Sequence, residues 1–278
     1  MLGRDHALTG AVVFAALAPT LHMPVSDLPA GVVLAAGAGV LPDIDHHDST
    51  IASSFGFLTE GFSRVINAIS GGHRHGTHSL IGVAIFTAGA WASGALQQHA
   101  HGGLTVGSFG SGALSWYMIP ALVYLTLLYS SALRALRVGG HHGDLIGVAG
   151  AAVTCYLGTD VVPVTVWHWR VPFLAVAIAL GCVAHIAGDE LTHSGCPVLW
   201  PVSRHEFHLL PKPMRITTAK LTENRIIFPV LVILLAVAVW HAAGQSITLG
   251  PAHPGAGHTG AGHGASGTGA SLGSRNAP

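Results

Sequence analysis

The chain has 278 residues, of which 50% are hydrophobic and only 9% charged, with 12 basic and 12 acidic side chains. A soluble domain carries about a quarter charged residues, so this composition points to lipid as the main solvent, and a formal net charge of +0 excludes a nucleic-acid binder of the basic-patch kind. Cys155, Cys182 and Cys196 are widely spaced and form no CxxC pair, so neither a disulfide framework nor a thiolate zinc site is implied.

At the N-terminus, Asp5 and His6 lead into the first apolar run with no basic region before it, which predicts no removable signal peptide. Residues 7–23 and 28–42 are short and rich in Ala and Gly; they either cross the bilayer with close helix packing or form a re-entrant hairpin. In the polar segment 43–78, Leu58, Phe62, Val65, Ile66 and Ile69 recur at helical spacing beside Phe55 and Phe57. This predicts an amphipathic helix lying on the membrane surface. Stretches 79–96, 116–133, 145–166, 171–189 and 226–243 are long enough, or nearly so, to span. Residues 191–225 carry Pro197, Pro201, Pro211 and Pro213 and read as a loop-like cap. The fold class expected is therefore an all-α polytopic membrane bundle of about seven spans over residues 1–243. A disordered Gly, Ala and His tail follows over 244–278, with His253, His258 and His263 solvated rather than bound to metal.

With seven spans and a cytoplasmic N-terminus, Arg4, Arg64, Arg74, Arg134, Arg137, Arg204, Lys212, Arg215, Lys220 and Arg225 fall inside, and only Arg170 and Arg275 outside. A re-entrant first hairpin leaves this sidedness unchanged for everything after it.

The 20 histidines exceed what such a chain needs, and neutral imidazole is the commonest transition-metal ligand. Polar residues gather in four places. His6 precedes the first stretch, and Asp43, Asp45, His46, His47 and Asp48 follow the second. His73, Arg74, His75, Thr77, His78 and Ser79 precede the third, and His185, Asp189 and His193 close the apolar run that begins near Val171. Positions four apart share a helix face, so these last two imidazoles and the carboxylate point the same way. All four places lie on the side that the Lys and Arg count assigns independently to the cytoplasm.

Mixed His and Asp ligands suit zinc best, with manganese or iron compatible; an all-oxygen set would have suggested magnesium or calcium. The candidate ligands His6, Asp43, Asp45, His73, His78, His185, Asp189 and His193 are too many for one tetrahedral ion. Two or three ions fit better, and paired metals commonly activate water against a phosphoester. Alternatives remain beside this reading. His185 and Asp189 can be a helix-helix hydrogen-bond pair, and one of the three acids at 43–48 can serve as a helix cap. His46, His47 and His75 read as neighbours of ligands rather than ligands. Arg74 is either a topogenic charge or a bidentate grip on phosphate. His141, His142 and Asp144 read as a solvated turn more than as ligands. His205 and His208 stand three apart with Glu206 between them, which rejects a zincin helix.

The order His6, Pro42-Asp43-x-Asp45, His73-Arg74-x-x-Thr77-His78-Ser79, His185-x-x-x-Asp189-x-x-Thr192-x-x-Gly195 and Leu199-Trp200-Pro201 resembles the YdjM-like family of membrane-bound metal-dependent hydrolases, over about residues 1–230. That family looks distantly similar to zinc-dependent phospholipase C and to single-strand zinc nucleases. Their ligand order is His, Asp, His, then His-x-x-Gly-Asp and a later His. The corresponding residues here are His6, Asp43 or Asp45, His73 or His78, His185-x-x-Gly188-Asp189, and His193. Those enzymes also use an N-terminal amine and a further His with an acid, for which no equivalent pair is clear in this sequence; Glu223 or His208 are the candidates. The resemblance implies a phosphoester hydrolase that activates water on a divalent metal. Asp43 or Asp45 would bridge metals or take the proton, and Arg74 would stabilise the developing charge.

The expected substrate is a membrane lipid or lipid-linked phosphate, met at the cytoplasmic face of a bacterial-type plasma membrane. A metal or ion transporter is a competing class, favoured by Asp160 inside an apolar stretch; against it, the ligands cluster at one face. A structural membrane protein whose metal ties helix ends together is the third, and a closed ligand set would mark it.

Overall fold

In the computed structural model, which describes residues 1–98, 118–158, 171–218 and 223–248, small residues let the first helices bury themselves. Helix α1 (Gly3–Leu17) packs on α2 (Leu28–Ala38), and both pack on α7 (Val171–Glu190). The approach is close enough that a side-chain carbon at Gly10 of α1 or Gly181 of α7 would strike the carbonyl of Ala35 on α2. Small residues at helix crossings are how bundles pack where lipid removes the usual hydrophobic drive. Phe14, Leu34, Leu125, Leu128 and Ile178 fill the centre between these helices and α5 (Ile119–Leu136). Helix α4 (Leu80–Gln98) lies against α5 and α7, α6 (Gly143–Leu157) against α5, and α8 (Phe228–Thr248) against α1.

Among the described residues there is no strand, only two isolated bridges, Thr192 with Ile216 and Cys196 with Phe207. They tie down the proline-rich segment after α7 as a small cap, as the prolines predict. The His205–His208 stretch inside it is not helical, so the zincin geometry is absent there.

Of the about seven spans expected, five stand out: among the described residues, five helices are long and apolar enough to cross a membrane, at Leu28–Asp45, Leu80–Gln97, Ile119–Leu136, Phe173–Glu190 and Glu223–Gln245. Helix α1 stops at Leu17; Ala18 is still in helical geometry with its N–H on the Phe14 carbonyl, and Pro19, which has no N–H, cannot extend the ladder. Its 15 residues reach about 22 Å, short of the hydrocarbon thickness of about 30 Å. The stretch expected at 145–166 is helical to Leu157, a shorter apolar helix, and 159–170 lie outside the described residues. So do Asp160, Arg170, Lys220, Arg275 and the tail from 249 on, with His253, His258 and His263; α8 itself continues through Thr248.

Helix α3 (Phe57–Ser70) forms where its periodicity predicts, bounded by Gly56 and by Gly71 with φ values of 58° and 84° that other residues rarely adopt. Its polarity runs opposite to that of a helix on a soluble core. Ser63 and Ser70 are buried against the protein, while Phe57, Leu58, Phe62, Val65 and Ile69 are exposed.

Candidate metal centre

Four segments that are distant in sequence meet at one buried point: α1 through His6, the turn Pro42–Asp45 after α2, the loop 73–78 before α4, and the last turn of α7. His6, His185 and Asp189 form one group able to hold an ion; Asp43, His78 and His185 form a second, and Asp45, His73 and His78 a third. The groups share His78 and His185, whose Nε2 atoms face each other at 3.1 Å. His6 stacks on His185 with ring centroids 3.8 Å apart, and its Nε2 lies 3.2 Å from Asp189 Oδ1.

The tautomers follow from the partners. His185 Nδ1 lies 2.7 Å from the Gly39 carbonyl, which can only accept, so Nδ1 carries the proton and Nε2 keeps its lone pair. The Thr77 hydroxyl donates to Asp45 Oδ2 at 2.6 Å, and His78 Nδ1 lies 3.0 Å from that hydroxyl oxygen. Its proton already spent on Asp45, Thr77 accepts from His78 Nδ1. His78 Nε2 is thereby turned toward Asp43 (3.4 Å) and Asp189 (4.0 Å). Two imidazole lone pairs thus converge on two carboxylates, and the His6 Nδ1 atom is buried with no hydrogen-bond partner. This donor set fits a divalent cation, which supplies the positive charge that clustered buried carboxylates need.

Asp45 organises the loop across from it. Its carboxylate receives His73 Nδ1 (2.8 Å), the Arg74 backbone N–H (3.1 Å) and Thr77, and its carbonyl receives Asn67 Nδ2 (2.8 Å) from α3. Arg74 sits at a left-handed φ of 66°, and this turns its guanidinium inward: Nη2 lies 3.5 Å from Asp189 Oδ2, and Nη1 is buried without a hydrogen-bond partner.

The structure brings His6, Asp43, Asp45, His73, Arg74, His78, His185 and Asp189 together, and leaves His193 out. Helix α7 ends at Glu190, so the four-residue spacing that placed His193 on the ligand face no longer applies. His193 is exposed in the turn beyond, with its backbone N–H on the Ile216 carbonyl. His46, His47 and Asp48 make a separate, more exposed group, and the His46 ring touches that of His73 at 4.7 Å. Asp144 pairs with Arg134 at 2.6 and 2.5 Å, away from the centre. His208 turns to the carbonyls of Glu206 and His193. Glu223 is fully buried and accepts the Leu2 N–H at 2.6 Å, so it anchors the N-terminal segment. That segment also brings the Met1 amino group to 3.0 Å from Asp189 Oδ1. Burial, then the Asp189 carboxylate, push the Cys196 thiol well above the ordinary range, and its Sγ lies 3.9 Å from Asp189 Oδ2.

Sequence reasoning missed the roles of Thr77, Asn67 and the Gly39 carbonyl as positioning groups. Thr77 carried a signal, since it lies beside His78 in the same motif. The Gly39 carbonyl carried none, because its role arises where α2 crosses α7.

A family model described as YdjM inner membrane protein matches residues 1–248. No curated protein and no solved structure matches the chain.

Proposed function

The chain belongs to the YdjM family of inner membrane proteins, and from that premise we propose that it is an integral-membrane, metal-dependent hydrolase acting on a phosphoester, with a lipid or lipid-linked phosphate as substrate. The observation that carries this reading is the convergence of His6, His78, His185, Asp43 and Asp189 beside the unpartnered Nη1 of Arg74. These five residues would hold the ions, zinc by donor chemistry, with His73 and Asp45 supplying a further group around His78. A bound divalent cation supplies Lewis acidity, which brings the ionisation of water into the neutral range and neutralises charge on phosphoryl oxygens. The Asp43 side chain is 23% exposed and lies 3.4 Å from His78 Nε2 and 3.7 Å from His185 Nε2, so it would serve as a ligand beside either histidine or as a proton acceptor at the open side. Arg74 offers a planar donor pair to phosphoryl oxygens as negative charge develops. The Lys and Arg distribution supports a cytoplasmic N-terminus and a cytoplasmic centre, with α1 and α6 completing seven apolar segments.

A structural metal that ties helix ends is the second reading, favoured by the burial of His6, His185 and Asp189 at 0–1% exposure. The two differ at Arg74. For a hydrolase, Arg74→Lys lowers turnover about tenfold or more while metal content stays at the wild-type level, because Lys keeps the charge and loses the fork. Metal-loaded protein inactive on phosphomonoesters, phosphodiesters, phospholipids and polyprenyl phosphates would establish the structural reading instead. Sidedness is checked by cysteine accessibility at position 210, which labels from the cytoplasmic side.

A further inference from the structure

A cleft of about 540 Å³ opens beside the centre, lined by His73 and Arg74 of the loop before α4 and by Ser194, Pro197, Arg204 and Glu206 of the cap. Arg204 and Glu206 also line an adjoining hollow together with Lys212 and Arg215, so basic side chains continue outward from the mouth. Among the described residues, Glu206 is the one carboxylate lining either hollow. An opening lined by two arginines selects an anion, and planar guanidinium matches phosphate oxygens in pairs.

The edge of the same cleft is apolar. The turn that leads from Pro197 to Arg204 is closed by Trp200 N to the Pro197 carbonyl (2.9 Å) and Ser203 N to the Leu199 carbonyl (3.1 Å). It holds Leu199 and Val202 outward at 46% and 91% exposure. The turn is also fixed to membrane elements. Leu80 N at the start of α4 donates to the Val198 carbonyl (3.0 Å), and a side-chain carbon at Gly71, which ends α3, would touch the Trp200 ring at 3.4 Å. Leu199 and Val202 are therefore exposed on a turn held against the end of α3 and the start of α4, where Ile69, Leu80 and Ile81 are exposed as well. Two exposed aliphatic residues on a polar cap are unfavourable in water and favourable in a bilayer interface.

We propose that this cleft binds the phosphate headgroup of a membrane lipid, with Arg204 holding the phosphate from the cap side, and Leu199 and Val202 seated in the bilayer interface at its mouth. The lipid approaches laterally along the α3 and α4 surface, so its phosphate meets the guanidinium pair without leaving the membrane. Calling the bound lipid a substrate rests on the hydrolytic reading above; the binding itself does not.

The test titrates metal-loaded protein in phosphate-free detergent with two non-hydrolysable probes: a dioctanoyl phosphonolipid and methylphosphonate. Arg204→Ala weakens binding of both about tenfold or more, as loss of a charge-assisted pair should, and Arg204→Lys weakens both less. Leu199→Ser with Val202→Ser weakens the phosphonolipid about tenfold and leaves methylphosphonate unchanged. Metal content and thermal midpoint remain at wild-type values in each. Wild-type affinity for both probes in a folded Arg204→Ala protein overturns the site. Wild-type affinity for the phosphonolipid in the Leu199 and Val202 variant overturns the bilayer as the source and points to a soluble phosphoester. Loss of binding on Arg204→Ala in a protein that hydrolyses nothing refutes the hydrolytic reading alone, whereas hydrolysis indifferent to Arg204→Ala refutes the site alone.

Discussion

Helices α7 and α8 are both apolar and both long enough to span, yet 61% of the residues in the α7 window are buried within the protein and only 6% of those in the α8 window. Helix α8 presents Val230, Ile233, Val237 and Trp240 outward and touches the bundle chiefly along α1. Helix α7 is surrounded by α1, α2 and α4, and closes with His185 and Asp189. Hydropathy cannot separate them, because lipid and protein interior are equally apolar solvents. Small residues do separate them. Ala177, Gly181 and Ala184 let α7 sit inside the bundle, while the branched and aromatic side chains of α8 suit acyl chains. One helix supports the chemistry, and the other faces lipid.

The sharpest test of that contrast is metal content. His185→Ala with Asp189→Ala is expected to lower metal affinity by more than about 100-fold, since the change removes direct ligands where even their supporting partners are worth about 10–100-fold. Val237→Ala on α8, at a residue 59% exposed, should leave metal content unchanged. Full metal occupancy in the double variant, read by elemental analysis of purified protein, would detach α7 from the centre.

A smaller effect is expected from backbone crowding. At Gly181 an added methyl would meet the Ala35 carbonyl and the Ala38 side chain, whereas at Gly244 of α8 nothing lies within 4 Å of it. Gly181→Ala should therefore cost about 1–3 kcal/mol through overpacking. Gly244→Ala should be neutral or stabilise by up to about 1 kcal/mol through helix propensity. Thermal midpoints in one detergent compare the two, and equal shifts would erase the distinction between inner and outer helix.

The smallest effect is expected at a carboxylate outside the centre. Asp144 pairs with Arg134 through Nε (2.6 Å) and Nη2 (2.5 Å), and both side chains are partly exposed. Asp144→Asn should cost no more than about 1 kcal/mol, as exposed ion pairs do, with metal content untouched. A drop in metal content there would extend the centre to the α5–α6 turn.

Much of this was legible in the chain itself. Apolar runs identify a helical membrane protein, because backbone groups in lipid must be satisfied within a helix. The spacing of His185 and Asp189 puts both on one face, because four residues make about one helical turn. The pattern of Leu58, Phe62, Val65 and Ile69 marks α3 by periodicity alone. The exclusion of His193 was not legible in the helical spacing, since α7 stops at Glu190 and the chain beyond it bridges through Thr192 to Ile216, far along the sequence. Nor was the burial of α1, set by the crossing of Gly10 with Ala35 and Gly181. The lone-pair directions of His78 and His185 come from Thr77, Asp45 and the Gly39 carbonyl. Local periodicity is written residue by residue. Ligand orientation and helix burial are decided by contacts between segments that only the tertiary structure brings within hydrogen-bond reach.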